Sequence, residues 1–258
     1  MHDSPILHVG GLNIDLSIFL PIIVTFLITF ILARLAVRNL SIDKPSKLQN
    51  FMEWVVDFVH NLVASAMPLS KAKPFVGLGM TLIMFIFIAN ILGLPFAFVL
   101  EYDRPVDLFG FTLVSPDMLE KAHEAGEHVA FNFWKSPTAD ISVTLGLALV
   151  VFILIHFLGL KNNRKHYLKH YLEPYPVFLP LNIIEQIARP VTLAIRLFAN
   201  IFAGEILIGV ILMASWASIP MLAVWQGFSL FVGGIQAFLF TMLTMVYIST
   251  AAVHEEAH

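Results

Sequence analysis

Five runs of apolar residues, each about 20 residues or longer, are the feature that most restricts the fold of this chain. A run of this length crosses about 30 Å of hydrocarbon as an α-helix. The strands of a membrane barrel would alternate apolar and polar residues, and these runs do not alternate. The runs are Leu16–Val37, Phe75–Leu100, Ile141–Leu160, Leu179–Trp216 and Ile219–Thr250. The sequence therefore predicts an all-α integral membrane protein with about five transmembrane helices, the last two long and tilted.

Composition agrees with this class and excludes several functions. Hydrophobic residues make up 58% of the 258 residues and charged residues only 13%, against about 45–50% and about 25% in soluble domains. The absence of cysteine excludes disulfides, thiol nucleophiles and cysteine-ligated metals. No GxxxxGK[ST] phosphate loop is present, and a net charge of −3 gives no reason to expect nucleic acid. We therefore expect no catalytic residue, no metal and no cofactor, in a chain that is not an enzyme on its own.

The charges of the loops predict the orientation of a single membrane domain, 1–258. Cytoplasmic loops are enriched in Lys and Arg. The end of the first run and the loop after it carry Arg34, Arg38, Lys44, Lys47, Lys71 and Lys73, and the loop after the third run carries Lys161, Arg164, Lys165 and Lys169. The N-terminus MHDSPILHVG lacks the basic segment of a secretory signal. We expect the N-terminus outside and the C-terminal HEEAH in the cytoplasm.

The loop at 101–140 is predicted to be external, because it holds eight acidic residues and only three cations. Its HEAGEH stretch at 123–128 weakly resembles a metal cluster. Recurrent ligand spacing, which metal sites usually show, is missing. A solvated acidic loop is the interpretation that the pattern favours.

Residues 48–66 predict an amphipathic helix in the first cytoplasmic loop. The apolar residues Leu48, Phe51, Met52, Val55, Val59, Leu62 and Val63 recur at helical spacing. Gln49, Asn50, Glu53, Asp57 and His60 fall on the opposite face. Such a helix either lies on the membrane surface or packs on neighbouring spans, and neither arrangement by itself indicates a function.

Arg196 in the middle of the fourth run is the strongest functional signal. An arginine at mid-membrane depth costs several kcal/mol, and such residues usually mark an ion path. With a pKa above about 12, the guanidinium does not carry the proton itself. Asn200 lies one turn later on nearly the same face. The alternatives are a structural charge bound to Glu185 or to backbone carbonyls, and for Asn200 an interhelical hydrogen bond without transport.

Glu205 occupies a different face and depth of the same run. It lies nine residues after Arg196, which is half a turn around a helix and about 13 Å farther along it. The two residues therefore do not form an i,i+4 ion pair. A carboxyl group in this position is a candidate for taking up and releasing protons. The alternative is a carboxylate held by a fixed partner.

Polar and small residues follow one side of the fifth run. These residues are Gln226, Ser229, Gly233, Gln236 and Thr244. Their spacing of 3, 4, 3 and 8 traces one side of a helix. Such a seam lines an aqueous half-channel or holds two helices together by polar contacts, and the residues leave both interpretations open.

Four segments of the chain resemble subunit a of the F-type ATP synthase in its Gram-positive bacterial form. They are IRLFANIFAGEIL at 195–207, GGIQAFLFTMLTMVYIS at 233–249, KSPTADISVTLGLAL at 135–149 and LQNFMEWVVDFV at 48–59. The first segment is the most specific of the four. Two positions depart from the family pattern: Ala199 stands where glycine is usual, and Ser229 where some relatives place histidine.

The resemblance implies a stator subunit in which two aqueous half-channels serve a rotating ring of c subunits. Arg196 then corresponds to the arginine that separates the half-channels and meets the ring carboxylate. Asn200, Glu205 and Gln236 match polar positions along the proton path, and Ser229 and Glu185 are the further candidates on its outer and inner branches. The implied partners are the c ring, the b subunits of the peripheral stalk and the rest of the ATP synthase. The implied location is the bacterial cell membrane.

Two other functional classes remain open from the residues alone. A stand-alone ion channel or secondary transporter would also use a membrane arginine, to bind an anionic substrate. A non-conducting structural anchor would need neither Arg196 nor Glu205.

Overall fold

The computed structural model describes residues 6–9, 12–93, 99–102, 104–108, 111–114, 119, 129–132, 134–170 and 175–252. Within these ranges, six α-helices form the body of the molecule. They are α1 (Leu16–Arg38), α2 (Lys47–Ala66), α3 (Leu69–Gly93), α4 (Ile141–His170), α5 (Leu179–Leu212) and α6 (Ser218–Ala252). All except α2 contain a segment long and apolar enough to cross a membrane. The predicted all-α membrane fold with five spans is therefore confirmed.

Side-chain caps fix the starts of three helices. The Asp15 carboxylate accepts from the Ser17 N–H at 2.9 Å at the start of α1. The hydroxyl of Ser46 accepts from the Gln49 N–H at 3.1 Å, and Asp140 accepts from the Ser142 N–H at 2.7 Å. Each cap satisfies one of the N–H groups that a helix start leaves without a partner. The PTAD segment therefore supplies the cap of α4.

Two spans are shorter than the apolar runs that predicted them. The second run was expected to remain helical to Leu100, but α3 ends at Gly93, and Val99 and Leu100 belong to a strand. Gly93 is followed two residues later by proline, a combination that ends helices. The fourth run was expected to continue to Trp216, but α5 ends at Leu212 and Trp216 lies in a 3₁₀ turn. Apolar character alone therefore overestimated both helices.

Six short strands precede α1 or join α3 to α4, outside the membrane-spanning helices. They are β1 (Ile6–Val9), β2 (Leu12–Asp15), β3 (Val99–Tyr102), β4 (Val106–Leu108), β5 (Phe111–Val114) and β6 (Val129–Asn132). They form three antiparallel pairs, β1–β2, β3–β6 and β4–β5. Part of the predicted acidic loop 101–140 is thus paired strand, and HEAGEH at 123–128 lies outside the described residues.

The core is built where α2, α3, α4, α5 and α6 meet. Val59 and Val63 of α2 are fully buried, as are Ile86 of α3 and Met245 of α6. A Cβ atom on Gly79 of α3 would lie 2.9 Å from the Val59 side chain, so α2 and α3 are in close contact there. The amphipathic helix therefore packs on neighbouring spans, one of the two arrangements that its sequence left open.

Two residues of α2 depart from the predicted faces. Phe51, assigned to the apolar face, is 53% exposed. Gln49, assigned to the polar face, is buried, and its side-chain amide bonds both the N–H and the carbonyl of Ser41 at 3.2 and 3.1 Å. The amide fastens the α1–α2 connection, a tertiary contact that helical periodicity does not encode.

Candidate functional site

Helix α5 carries four charged residues, and their order along the helix defines the site. Glu185 and Arg189 lie near its first end, Arg196 in the middle and Glu205 near its second end. At 1.5 Å per residue, the two carboxylates are about 30 Å apart along the axis. They therefore belong to opposite ends of the bundle.

At the first end, Glu185 is paired within the helix. Its Oε1 accepts from Arg189 Nη2 at 2.7 Å, in an i,i+4 ion pair. The Arg189 guanidinium also lies over the ring of Tyr247 in α6, 5.4 Å from the ring centre. Arg189 therefore connects α5 to α6, and Glu185 is not the partner of Arg196.

At the second end, Glu205 contacts a short segment that precedes α4. Its Oε1 accepts from the backbone N–H of Ser136 at 3.2 Å. The preceding residue, Gly204, also connects α5 to α6, because its carbonyl accepts a hydrogen bond from the indole N–H of Trp225 at 3.4 Å. Glu205 thus has a partner outside its own helix.

Residues 134–138, here called the outer connector, are held by hydrogen bonds to the surrounding helices. The Lys135 N–H donates to the Ser17 carbonyl of α1 at 3.2 Å. The Trp134 indole donates to the carbonyl of Leu92 in α3 at 2.8 Å, and the Ser136 hydroxyl donates to the Ala89 carbonyl at 3.3 Å. The outer connector is therefore a fixed element that presents the Ser136 N–H to Glu205.

A buried polar chain continues from the outer connector into the bundle. The hydroxyls of Ser136 and Thr138 are 2.9 Å apart. Thr138 donates to Asn90 Oδ1 of α3 at 2.6 Å, and Asn90 Nδ2 donates to the carbonyl of Gly233 in α6 at 3.0 Å. Hydrogen bonds thus lead from Glu205 on α5 to the polar seam of α6.

We expect Gly93→Ala to displace the outer connector. A Cβ atom on Gly93 would meet Cβ of Ser136 and would lie 2.7 Å from its Cα, so backbone has to move. Overpacking of this kind costs about 1–3 kcal/mol. The measurement is the midpoint of thermal unfolding in detergent, which should fall.

Gly77→Ala in the same helix is the matched control. Nothing lies within 4 Å of a Cβ at Gly77, and alanine is the better helix former by up to about 1 kcal/mol. Its midpoint should be unchanged or slightly higher. Equal midpoints for both variants would contradict the close packing at Gly93.

Arg196 occupies the middle of α5 without a carboxylate partner among the residues that the structure describes. Its side chain is half-buried, and Asn200 one turn later is exposed. Asn200 Nδ2 donates at 3.0 Å to the Arg196 carbonyl in its own helix, not to another helix. The guanidinium is therefore available to a charge that this part of the chain does not supply.

The seam on α6 faces the bundle. Ser229, Gly233, Gln236 and Thr244 are buried and Gln226 is half-buried. The hydroxyls of Ser229 and Thr244 are buried without a hydrogen-bond partner among the described residues. Buried polar groups normally have such partners. Among the described residues, these two hydroxyls make none of the interhelical hydrogen bonds that polar adhesion between helices would use.

The structure brings together some of the predicted residues and adds others. Ser229, Gln236 and the remainder of the seam share one side of α6, and Glu205 reaches that seam through Ser136, Thr138 and Asn90. The sequence did not predict these three intermediates as site residues. One signal was available: Asn90 is a lone amide in the apolar segment IFIANILG.

Metal-binding side chains do not cluster in the described part of the chain. No group of three or more His, Cys, Asp or Glu residues suited to a metal ion occurs there. The chemistry that the site offers is therefore that of carboxylates, fixed cations and neutral hydrogen-bonding groups.

Comparison with known proteins gives consistent matches over nearly the whole chain. The family model described as ATP synthase A chain matches residues 18–249. A protein of Anoxybacillus flavithermus named ATP synthase subunit a is 44% identical, covering 98% of this chain and 99% of its own length. Proteins of the same name from Bacillus subtilis and Staphylococcus carnosus are 44% and 41% identical, and cover 95% and 96% of this chain and the same shares of their own lengths.

Proposed function

Because this chain belongs to the ATP synthase A chain family, we propose that the two ends of α5 serve two separate aqueous half-channels, with Arg196 as the charge that divides them. Membership makes the chain a non-catalytic, multi-pass membrane subunit of the ATP synthase, acting in proton transport and ATP synthesis with the rest of that complex. The half-channels and the roles of individual residues are the proposal.

One observation supports the proposal most strongly: within the described part of the chain, Arg196 is the cation of α5 that has no carboxylate partner. Among the described residues, Glu185 is paired with Arg189, and Glu205 accepts from the Ser136 N–H. A mid-membrane guanidinium is costly unless it meets a partner or water. A carboxylate on a ring of c subunits is the partner that this arrangement lacks.

The outer half-channel brings protons to the ring. Protons enter past Glu205 and the seam residues Ser229 and Gln236, and protonate a ring carboxylate. The polar chain through Asn90 connects Glu205 with the seam. In its neutral form the ring carboxyl tolerates lipid and rotates away from the channel.

The inner half-channel releases the protons. When the ring carboxyl returns to Arg196, its ionised form is favoured, because an opposite charge within about 4–6 Å stabilises a carboxylate. The proton leaves toward Glu185 at the first end of α5. Arg196 also repels any cation that would pass directly between the two paths, while Asn200 beside it offers an exposed amide.

The orientation follows from the distribution of charges. The ends of α1 and α4 and the start of α3 carry the Lys and Arg residues of the predicted cytoplasmic side. In the proposed orientation, Glu205 lies toward the outside, and Glu185 and the C-terminus lie toward the cytoplasm of a bacterial cell. A potential of 100 mV then supplies about 2.3 kcal/mol for each charge that crosses, so several protons are needed for each ATP.

Purification from native membranes in a mild detergent tests the proposal. We expect the c ring, the b subunits of the peripheral stalk and the catalytic head to co-purify with the chain, and proton conduction to require the ring. If the purified chain alone conducted protons in liposomes, it would be a stand-alone channel or transporter. If proton pumping were normal after substitution of both Arg196 and Glu205, a non-conducting structural anchor would be the remaining interpretation.

A further inference from the structure

Helix α2 has three sides, whereas its sequence predicted two. One side is buried against α3 and α6 and includes Val59 and Val63. A second side is polar and exposed, and carries the acidic residues Glu53 and Asp57. Phe51 lies on neither of these sides, although the sequence assigned it to the apolar face. The bundle therefore leaves a third side of α2 uncovered.

The third side is a row of aromatic rings. Phe51, Trp54 and Phe58, here called the aromatic stripe, are 53%, 65% and 38% exposed. Their spacing of three and four residues places them on one line along the helix. Adjacent ring centres are 6.4 and 6.0 Å apart, and the Phe58 ring lies 6.0 Å from the ring of Phe238 in α6. The aromatic stripe is thus a continuous apolar surface that reaches a membrane-spanning helix.

Trp54 has the properties of a residue at a membrane–water boundary. It is the most exposed member of the aromatic stripe, and its indole N–H makes no hydrogen bond to another residue of the described ranges. Tryptophan is enriched at both surfaces of a bilayer, where the ring contacts acyl chains and the N–H remains among polar groups. The exposure of Trp54 therefore suits the boundary between headgroups and hydrocarbon.

Three cations lie at the beginning of the aromatic stripe. Lys47 lies one turn before Phe51, on the same line of the helix. Arg38 ends α1, Lys44 lies in the connection to α2, and the side chains of all three cations are exposed. The same connection holds one acidic residue, Asp43, and none of the three cations forms an ion pair within the described part of the chain. The aromatic stripe therefore begins in an excess of positive charge.

We propose that the aromatic stripe inserts into the cytoplasmic leaflet at the level of the headgroups, where the cations at its beginning bind anionic phospholipid. Contiguous exposed apolar patches mark sites that contact a membrane or another protein. The excess of cations complements lipid phosphate groups, and the contact with Phe238 continues the stripe onto a helix that crosses the membrane. Glu53 and Asp57, on the polar side, then face the cytoplasm.

The inference rests on the proposed orientation of the chain, which places α2 on the cytoplasmic side. It does not depend on the half-channels or on the roles of Arg196 and Glu205.

The test uses nitroxide spin labels on the assembled complex in vesicles of phosphatidylcholine and phosphatidylglycerol. The chain has no cysteine, so Phe51→Cys adds a single labelling position to it, and the unsubstituted complex treated with the same label gives the background. Asp57→Cys is the matched control, because it lies six residues later and about a third of a turn around α2. We expect relaxation of the label at position 51 to respond mainly to oxygen, which concentrates in lipid, and the label at position 57 to respond mainly to a water-soluble nickel complex.

The preference for anionic lipid is measured with a fluorophore on Phe51→Cys. Phosphatidylglycerol that carries a nitroxide should quench it more strongly than phosphatidylcholine that carries the same nitroxide. Addition of Lys47→Gln should weaken this preference by up to roughly fivefold, the contribution of one cation near an anionic surface. Lys47→Arg keeps the charge and should retain the preference.

The inference is overturned if the labels at positions 51 and 57 respond equally to the nickel complex, because the aromatic stripe would then lie in water. Protection of the label at position 51 from both oxygen and nickel would also overturn it, since a protein partner would then cover the stripe. Equal quenching by the two lipids, or no effect of Lys47→Gln, would refute the binding of anionic lipid. None of these results bears on the half-channels, which are tested by proton conduction.

Discussion

We expect replacement of Arg196 with alanine to abolish gradient-driven ATP synthesis and ATP-driven proton pumping, while the complex still assembles. The guanidinium is half-buried and has no ion-pair partner among the described residues, so its removal leaves no orphaned carboxylate in that part of the chain. What is lost is the charge that favours ionisation of the ring carboxyl. An adjacent cation changes that equilibrium by about 1–3 pKa units, or about 10- to 1000-fold.

The measurements are coupled ATP synthesis, ATP-driven pumping and passive proton flow in the same vesicles. Passive flow through the complex should rise in Arg196→Ala, because the repulsion between the half-channels is gone. Arg164→Ala, an exposed arginine of α4, is the control and should behave as wild type. Retention of coupled pumping in Arg196→Ala would refute the dividing role.

We expect Glu205→Gln to slow proton uptake from the outer side by about 100-fold, at the low end of what a positioned acid–base group contributes. The side-chain oxygen of glutamine can still accept from the Ser136 N–H, so the contact at 3.2 Å need not be lost. The substitution therefore removes titration and leaves the local structure. The measurement is the initial rate of ring-dependent proton flow driven from each side of the membrane in turn.

Glu185→Gln provides the reciprocal comparison, because Glu185 lies at the opposite end of α5. It should slow release on the inner side and leave uptake at the outer face much less affected. If Glu205→Gln kept the wild-type rate in both directions, the residue would not belong to the path.

Sequence alone predicted the elements whose signal is local. Long apolar runs gave the five spans, and the spacing of charges within α5 already excluded an Arg196–Glu205 pair. The ion pair of Glu185 with Arg189 was not predicted, although it has i,i+4 spacing, because Glu185 was considered as a partner of Arg196. The helix ends at Gly93 and Leu212 were missed because apolar residues continue beyond them.

The contacts that complete the site were not predictable in the same way. Ser136 meets Glu205 across 69 positions, and Asn90 meets Gly233 across 143. Both depend on how the helices are arranged around one another, which no periodicity records. Gln49 is a further contact that the sequence did not predict. It belongs to the polar face of α2, yet its side chain is buried and forms hydrogen bonds with the backbone of Ser41.

Helix α5 is fastened near both of its ends, to the outer connector through Glu205 and to α6 through Arg189 and Tyr247. Between these points, the side chains of Leu193 and Leu197 are buried in the core, whereas the side chain of Asn200 is exposed. A helix that is held near both ends resists sideways displacement better than one that is held at a single end. Torque from a turning neighbour would therefore pass into the whole bundle instead of bending the surface it pushes against.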